Sequence, residues 1–365
     1  MNKKKLVTTV FVFSSIIFFV FLTKNNCKMT SFAELKNADK ISKQDALRAL
    51  KEEYKINEII ALVFYGRTDS VSILIRYLDI NLRKNGGVLD KVIFAVHTNV
   101  VEDLNFIQNF TEKNNEFYKK VNHPVGKSHI KSYFKHLYHS CKNNDIVFKI
   151  DDDIVFIQNG TFELMLKEYL ENKHFVLSAN VINHAHLSYV HARQKAILPF
   201  YETKKYVWEK AQNITELDDT LVFDSTYSTY STWWSNGRQA AIALESFLYH
   251  AYNNNLNVYR FRVWDFNSVG YTERVRINFI IIWGQYVNKL NQSKSFTDET
   301  YITIDMPKLL KKHTLSLGSA LVVHFAYYNQ IRYLKNTGIL KKFNDFSFYY
   351  LNNSNTVKPV DLINI

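Results

Sequence analysis

Three consecutive aspartates, Asp151, Asp152 and Asp153, interrupt an apolar stretch and give the strongest chemical signal in the chain. Burying an unpaired carboxylate is very costly, so these side chains must meet a cation, a hydrogen-bond donor or water. Because side chains alternate along a strand, Asp151 and Asp153 are expected on one face and Asp152 on another. Two carboxylates at this spacing suit Mn²⁺ or Mg²⁺. A solvated surface turn is the alternative, although no Gly, Pro or Asn interrupts the run.

The elements that position these aspartates are predicted from the apolar pattern. Strands are predicted over residues 58–64, 91–98, 117–121 and 146–157, most of which are short apolar runs. The aspartates lie in the last of these strands. Amphipathic stretches predict helices over residues 70–84, 104–115 and 128–141. Repeated β-α units of this length predict an α/β fold with a mostly parallel, Rossmann-like sheet flanked by helices. Ligand sites in such sheets lie beyond the carboxyl ends of the strands. After residue 160 the pattern becomes irregular and aromatic.

The stretch KIDDDIVFI resembles the D-x-D element of GT-A glycosyltransferases. Several segments between residues 55 and 330, among them FYGRTDSVSILIRYL, SANVINHAHLSYVHAR and LVVHFAYYNQ, are similar to a largely uncharacterised, chiefly fungal group of glycosyltransferase-like proteins. The resemblance implies a GT-A-like fold and a metal-dependent transfer. The donor would be a nucleotide sugar, and the acceptor a hydroxyl of a glycan, a glycoprotein or a glycolipid.

The same resemblance implies roles for the acidic cluster. Asp153 would bind a divalent metal, Mn²⁺ before Mg²⁺, while Asp151 would bind the ribose or a metal-bound water and Asp152 would orient the sugar. His324 matches a histidine that frequently completes such a metal site, so the expected ligands are Asp151, Asp153 and His324. A hydrogen-bonded core histidine is an equally good interpretation of His324.

Five further residues are candidates for binding the nucleotide sugar. Arg67 follows the first strand and Lys127 precedes a helix, and both basic side chains and helix N-termini attract phosphate. Tyr65 is a candidate for stacking on the base. His191 and Arg193 are candidates for contacts with the sugar or the diphosphate. Surface or packing roles remain the alternative for each of them.

An inverting transferase also needs a carboxylate that acts as a base on the acceptor hydroxyl. Asp298 and Glu299 are the first candidates, and Asp265 is the next. Acidic loops without a catalytic role explain these residues equally well. Flat apolar surfaces for sugar rings are offered by three tryptophans, although core packing is the commoner role: Trp233, Trp234 and Trp264.

The first residues predict a membrane anchor. Residues 6–22 carry no charge and follow three lysines, and a helix of this length just crosses a bilayer core of about 30 Å. No small-residue cleavage signal follows, which favours an uncleaved anchor over a signal peptide. We therefore expect a single-pass type II protein of the Golgi or endoplasmic reticulum with a lumenal catalytic domain. The segments are a cytoplasmic tail (1–5), an anchor (6–22), a stem (23–57), a GT-A-like domain (58–350) and a C-terminal tail (351–365).

Composition limits the other functions. The chain of 365 residues is 47% hydrophobic and 22% charged, which supports a globular core. Its net charge of +12 is spread along the chain without a nucleic-acid-binding motif, so we expect no nucleic-acid partner. Two cysteines, Cys27 and Cys141, exclude a disulfide framework and a zinc cluster. A catalytically inactive carbohydrate-binding protein on the same fold and a divalent-metal hydrolase remain the rival functions.

Overall fold

The structure is a computed structural model that describes residues 40–122, 141–197, 232–268, 270–271, 274–289 and 297–353. The chain divides into two units, residues 1–56 and residues 57–365. In the first unit, helix α1 (Lys40–Tyr54) has three buried apolar side chains, Ala46, Leu47 and Leu50. Within the described ranges no helix combines the length and apolar character needed to span a membrane. The predicted anchor lies outside these ranges, as does nearly all of the helix predicted over residues 128–141.

In the described part of the second unit nine strands form one sheet. They are β1 (Ile59–Tyr65), β2 (Lys91–Val96), β3 (Tyr118–Asn122), β4 (Ile146–Asp151), β5 (Ile154–Ile157), β6 (Val176–Ile182), β7 (Val263–Asp265), β8 (Phe279–Trp283) and β9 (Leu315–His324). The order across the sheet is β3-β2-β1-β4-β8-β6-β9-β5, and β7 also pairs with β9.

The predicted parallel sheet is present only in part. Strands β3, β2, β1 and β4 are parallel, as predicted for successive β-α units. Strand β8 is antiparallel to both β4 and β6, so β4 and β6 run in the same direction. Strand β9 is parallel to β6, whereas β5 and β7 run against β9. The sheet is therefore mixed. The sequence did not predict this, because the apolar composition of a buried strand does not encode its direction.

Helices connect and cover these strands. In chain order the first of them after α1 are α2 (Thr68–Ile80), α3 (Val101–Lys113), α4 (Thr161–Glu171), α5 (Leu187–Arg193) and α6 (Gly237–Tyr252). They are followed by α7 (Gly284–Asn288), α8 (Asp298–Thr300), a π-helical turn (Tyr301–Asp305), α9 (Met306–Leu310), α10 (Tyr328–Leu334) and α11 (Ile339–Asn353). Helices α2 and α3 confirm the amphipathic helices predicted over residues 70–84 and 104–115, with both starts and ends shifted by two to four residues.

The two faces of the central strands pack against different layers. On one face Phe148 of β4 lies against Phe162 of α4, with 4.8 Å between the ring centroids, and Phe162 lies 5.5 Å from Phe279 of β8. The opposite face belongs to a second buried cluster, which includes Val147, Ile280, Ile282, Tyr301 and Ile302. Helical cover on both faces explains why every residue of β4 before Asp151 is buried.

The predicted fourth strand, residues 146–157, is two strands and not one. Strand β4 ends at Asp151, Asp152 and Asp153 form a turn, and β5 begins at Ile154. Strand β4 pairs with β1 and β8, whereas β5 pairs with β9 at the far side of the sheet. The turn is held by contacts from distant segments, since Phe325 N donates to Asp153 O at 2.8 Å and Gly66 N donates to Asp152 Oδ2 at 2.7 Å.

Candidate metal centre

One edge of the sheet collects the carboxyl ends of several strands, among them β1, β4, β6 and β9, because these strands run in the same direction. Arg67 lies two residues beyond β1, Asp151 ends β4, Asn183 follows β6 and His324 ends β9. Ligand sites of α/β proteins lie at this edge. The topology therefore brings residues far apart in the sequence to the place where the aspartate turn begins.

Asp151, Asp153 and His324 are brought together at this edge, with one potential ligand atom from each lying within 4.8 Å of the others. Asp153 and His324 are buried, and the side chain of Asp151 keeps 25% of its surface exposed. His324 Nε2 lies 3.3 Å from Asp153 Oδ1, yet no described residue makes a well-formed hydrogen bond to that buried oxygen. Two carboxylates and one imidazole whose ligand atoms converge in this way fit a divalent cation.

Asp151 is fixed from two sides. The ammonium of Lys149, a buried residue of β4, contacts Asp151 Oδ1 and donates to the Ile277 carbonyl at 2.8 Å. Asn278, just before β8, donates its side-chain N–H to Asp151 Oδ2 at 2.9 Å. Burial opposes the charge of Lys149, but Asp151 and Asp298 outweigh it and raise the pKa of the lysine. Lys149 therefore remains a cation inside the sheet.

Asp152 contacts the residues that follow β1. Its Oδ2 accepts from Gly66 N, and Arg67 Nε donates to its Oδ1 at 3.1 Å. The Arg67 Nη2 group also contacts Asp152 and lies 3.0 Å from Asp153 Oδ2. Burial raises the pKa of Asp152 to about 6, with Arg67 opposing that shift. Burial also acts against ionised Asp153, but Arg67 and His324 outweigh it and lower the pKa of Asp153.

His324 is oriented by the segment after β6. Its Nδ1 lies 3.4 Å from the Asn183 carbonyl, and Asn183 Nδ2 donates to the Phe325 carbonyl at 2.9 Å. A histidine whose Nδ1–H points to a carbonyl presents the lone pair of Nε2 to a metal. Tyr327 packs on the His324 ring, with 4.5 Å between centroids, and its hydroxyl lies 3.3 Å from Asn278 Oδ1.

A cationic and aromatic wall continues from Tyr327. The Arg276 guanidinium lies 5.5 Å from the Tyr327 ring and 5.9 Å from the Trp234 ring. Both oxygens of Glu299 accept from Arg276 Nη1, at 3.2 and 3.1 Å, and Arg274 Nε lies 3.2 Å from Glu299 Oε2. Glu299, a candidate base, is thus held by two guanidinium groups.

Asp298, the other first candidate for the base, is buried at the start of α8, where its Oδ1 accepts from Glu299 N at 2.9 Å. Its charge contributes to the raised pKa of Lys149. The loop that carries Asp298 and Glu299 therefore adjoins the metal centre through Lys149 and Arg276.

Asp265, the third candidate base, is placed away from the metal centre. Asp265 pairs with Leu315 at the amino end of β9, whereas His324 ends the same strand. Nine residue steps along a strand correspond to roughly 30 Å, so Asp265 lies at the opposite edge of the sheet. It accepts from Asn267 N at 2.8 Å and lies 2.6 Å from His313 Nδ1. The sequence context of Asp265 shows an acidic residue after a tryptophan but does not indicate which end of a strand it occupies.

The remaining candidates for nucleotide binding are placed differently. The Tyr65 ring is buried against Phe94, and its hydroxyl donates to the Asp103 carbonyl at 2.7 Å, so its faces are covered by the core. His191 is buried, and its Nε2 lies 2.7 Å from Asn180 Oδ1. Arg193 is exposed at the end of α5. Lys127 lies outside the described residues.

Four residues of the site were missed in the sequence: Lys149, Arg276, Asn278 and Tyr327. Lys149 carries a signal, since a lysine within an apolar strand needs a buried partner. Asn278 directly precedes the apolar run of β8, and Tyr327 follows His324 by three residues. Neither pattern shows that the side chains of Asn278 and Tyr327 would reach Asp151 or His324. Their positions depend on the order of the strands, in which β8 and β9 lie on opposite sides of β6.

Comparisons with known proteins give only weak structural overlaps. No protein-family model and no curated protein matches the chain. The 4-diphosphocytidyl-2C-methyl-D-erythritol synthase of Anaerococcus prevotii overlaps with a TM-score of 0.35 and 10% identity, over 81% of this chain and 96% of that one. Glucosyl-3-phosphoglycerate synthase of Mycobacterium tuberculosis, solved with Mn²⁺, uridine diphosphate and glucosyl-3-phosphoglycerate, overlaps with a TM-score of 0.29 and 12% identity. That overlap covers 42% of this chain and 53% of the synthase. Overlaps of this size do not assign a function, which is argued from the site itself.

Proposed function

We propose that this chain is a metal-dependent glycosyltransferase that moves a sugar from a nucleotide-sugar donor to an acceptor hydroxyl. The observation that carries the proposal is the group formed by Asp151, Asp153 and His324 at the carboxyl edge of the sheet, with Asp153 Oδ1 buried and lacking a well-formed hydrogen bond. Mn²⁺ is the cation proposed first and Mg²⁺ the second, because two carboxylates and one imidazole suit a borderline divalent ion better than a purely oxygen-binding one.

The chemistry assigned to the site is electrostatic. A divalent cation held by Asp151, Asp153 and His324 would neutralise the charge that develops on the diphosphate leaving group. Lys149 and Asn278 keep Asp151 in place, and Asn183 orients His324. The wall of Arg276, Tyr327 and Trp234 provides a guanidinium and two aromatic surfaces beside the centre, which suits an anionic group and a sugar ring.

Acceptor activation is assigned to the loop that contains Asp298 and Glu299. Of the two residues, Glu299 already has both carboxylate oxygens paired with arginines. Asp298 is therefore the better candidate if the transferase inverts the configuration of the sugar.

The test is a donor panel with the full chain purified in detergent. Nucleotide release from one of several nucleotide sugars in the presence of Mn²⁺, lost on addition of EDTA, is the expected result. Asp265→Asn is the matched control, since it removes a carboxylate at the opposite edge of the sheet and should leave release unchanged. If glycans bind tightly but no donor is consumed, the protein is a binding module. If phosphodiesters are cleaved without transfer, the metal centre belongs to a hydrolase.

The proposed setting is the lumen of the Golgi or endoplasmic reticulum, reached through a single anchor over residues 6–22. The support is the uncharged segment behind three lysines. Asn109 and Asn159 lie in glycosylation sequons and are exposed, so a lumenal domain offers them to glycosylation. A mobility shift after removal of N-glycans, smaller in the Asn109→Gln/Asn159→Gln variant, would support this setting. An unglycosylated protein released from membranes by carbonate would contradict it.

A further inference from the structure

The acidic cluster contains two cations, Arg67 and Lys149. Asp151, Asp152 and Asp153 supply three negative charges, and Arg67 and Lys149 supply two positive charges in direct contact with them. These five side chains together therefore carry one net negative charge. A site that offers one net negative charge attracts a free divalent cation only weakly, whereas the three bare carboxylates would attract it strongly.

The two cations differ in how firmly they are held. Lys149 is buried, and its ammonium is fixed between Asp151 and the Ile277 carbonyl. Arg67 keeps 42% of its side-chain surface exposed, although its guanidinium contacts the almost fully buried Asp152 and Asp153. The arginine is therefore the cation that can reach solvent and a ligand without opening the core.

The position of Arg67 also gives the two oxygens of Asp153 different neighbours. Arg67 Nη2 lies 3.0 Å from Oδ2, and Oδ1 faces His324. A cation bound by Asp151, Asp153 and His324 would thus lie on the side of Asp153 away from Arg67. The carboxylate of Asp153 would then lie between the cation and the guanidinium. For a separation of roughly 6 Å, repulsion between a unit charge and a divalent ion weakens binding about tenfold even at the dielectric constant of water.

We propose that Arg67 is a built-in counterion that restrains the binding of the free cation and turns to the diphosphate when the nucleotide arrives. Binding of the cation and of the nucleotide is thereby coupled. This inference rests on the proposed function, since it assumes that a divalent cation and a nucleoside diphosphate meet at the cluster. In this scheme Arg67 binds the diphosphate and is not a ligand of the cation.

The experiment compares Mn²⁺ affinity in the full-length wild type and in Arg67→Gln, by calorimetry and by the electron paramagnetic resonance signal of free Mn²⁺. At pH 8 and low salt we expect Arg67→Gln to bind Mn²⁺ alone about tenfold more tightly. With uridine or guanosine diphosphate present, the additional tightening should be smaller in the variant than in the wild type. Unchanged or weaker Mn²⁺ binding by Arg67→Gln would overturn the proposal.

Two further variants separate charge from geometry. Arg67→Lys keeps the charge but loses the forked contact, so its affinity for Mn²⁺ should stay close to that of the wild type. Arg83→Gln is the matched control, because Arg83 is similarly exposed and pairs with the almost buried Asp90 at the amino end of β1. That control should not change Mn²⁺ affinity. Tighter binding in Arg83→Gln as well would show that the effect is not local to the cluster, and would also overturn the proposal.

Removing Arg67 leaves two buried carboxylates without their counterion, so Arg67→Gln is expected to melt at a lower temperature in EDTA. The proposal then predicts that Mn²⁺ raises the melting temperature more in the variant than in the wild type. A variant that stays unfolded in saturating Mn²⁺ would contradict it. The proposed function fails separately, if the wild type binds no Mn²⁺ in either the presence or the absence of a nucleoside diphosphate.

Discussion

At the scale of single residues, the two oxygens of Asp153 have different surroundings. Oδ2 contacts a guanidinium, whereas Oδ1 is buried, faces His324 and lacks a well-formed hydrogen bond. A buried acceptor left unpaired costs free energy, and such groups in a native protein commonly indicate a missing ligand. Asp153 is therefore the residue at which metal binding and protein stability can be separated experimentally.

Asp153→Asn should reduce Mn²⁺ affinity and nucleotide release by more than about 100-fold, since loss of a ligand exceeds the 10- to 100-fold effects typical of its supporting partners. The free energy of unfolding in EDTA should change by about 1 kcal/mol or less, because the amide has the same shape and Arg67 keeps its contacts with Asp152. Calorimetry with Mn²⁺ and urea denaturation measure the two effects. A variant that loses stability but retains metal affinity would show that the cluster is structural.

At the scale of elements, β9 pairs with β5, β6 and β7 and carries His324 at its carboxyl end. The pairing with β6 changes register within β9, so that Ala179 pairs with Leu317 but Asn180 pairs with Leu321. Gly318 begins this irregular stretch, and a Cβ there would lie 1.9 Å from the Phe261 carbonyl oxygen. The close approach of that backbone explains why a glycine occupies this position.

Gly318→Ala should lower the free energy of unfolding by about 2 kcal/mol, within the range typical of an overpacked core. The neighbouring Ser319→Ala is the control, expected to change it by about 0.5 kcal/mol or less because Ser319 is half-buried and loses only a hydroxyl. Urea denaturation of both variants checks the order. Equal effects would show that the approach of Phe261 does not constrain β9.

At the scale of the whole molecule, three buried histidines near α5 should make stability depend on pH. Burial lowers the pKa of His184 well below its ordinary value, that of His186 to about 4 and that of His191 to about 3. In the unfolded chain each histidine takes up a proton at a pKa of about 6.5. Their contribution to stability is therefore fully present above about pH 6.5 and is lost as the pH falls toward the folded-state values.

Each of these histidines should contribute a slope of about 1.4 kcal/mol per pH unit to the free energy of unfolding below pH 6. In His191→Gln the slope between pH 6 and pH 5 should decrease by about that amount, while above pH 7.5 the stabilities of both proteins should not depend on these groups. Urea denaturation at a series of pH values measures the slopes. An identical slope in the variant would mean that His191 takes up its proton in the folded state.

The sequence by itself determined the first half of the molecule and the identity of the acids. Apolar runs predicted β1, β2 and β4, and the alternation of strands with helices predicted the parallel order of β1 to β4. The charges of Asp151 to Asp153 within such a run required a cation, because nothing local could compensate for burying them. His324 was selected by its place in a similar segment, and the structure brings it to Asp153.

Only the tertiary structure decided where the run breaks and which residues complete the site. The apolar residues on both sides of the aspartates suggested one strand, but the turn at Asp152 and Asp153 is held by Gly66, Arg67 and Phe325, which come from other parts of the chain. Strand direction likewise depends on the path of the chain between strands. Composition therefore could not show that β8, which follows Asn278, is antiparallel to β4, or that Asp265 lies at the opposite edge of the sheet. Local preferences specify elements, whereas contacts between distant segments specify their ends and neighbours.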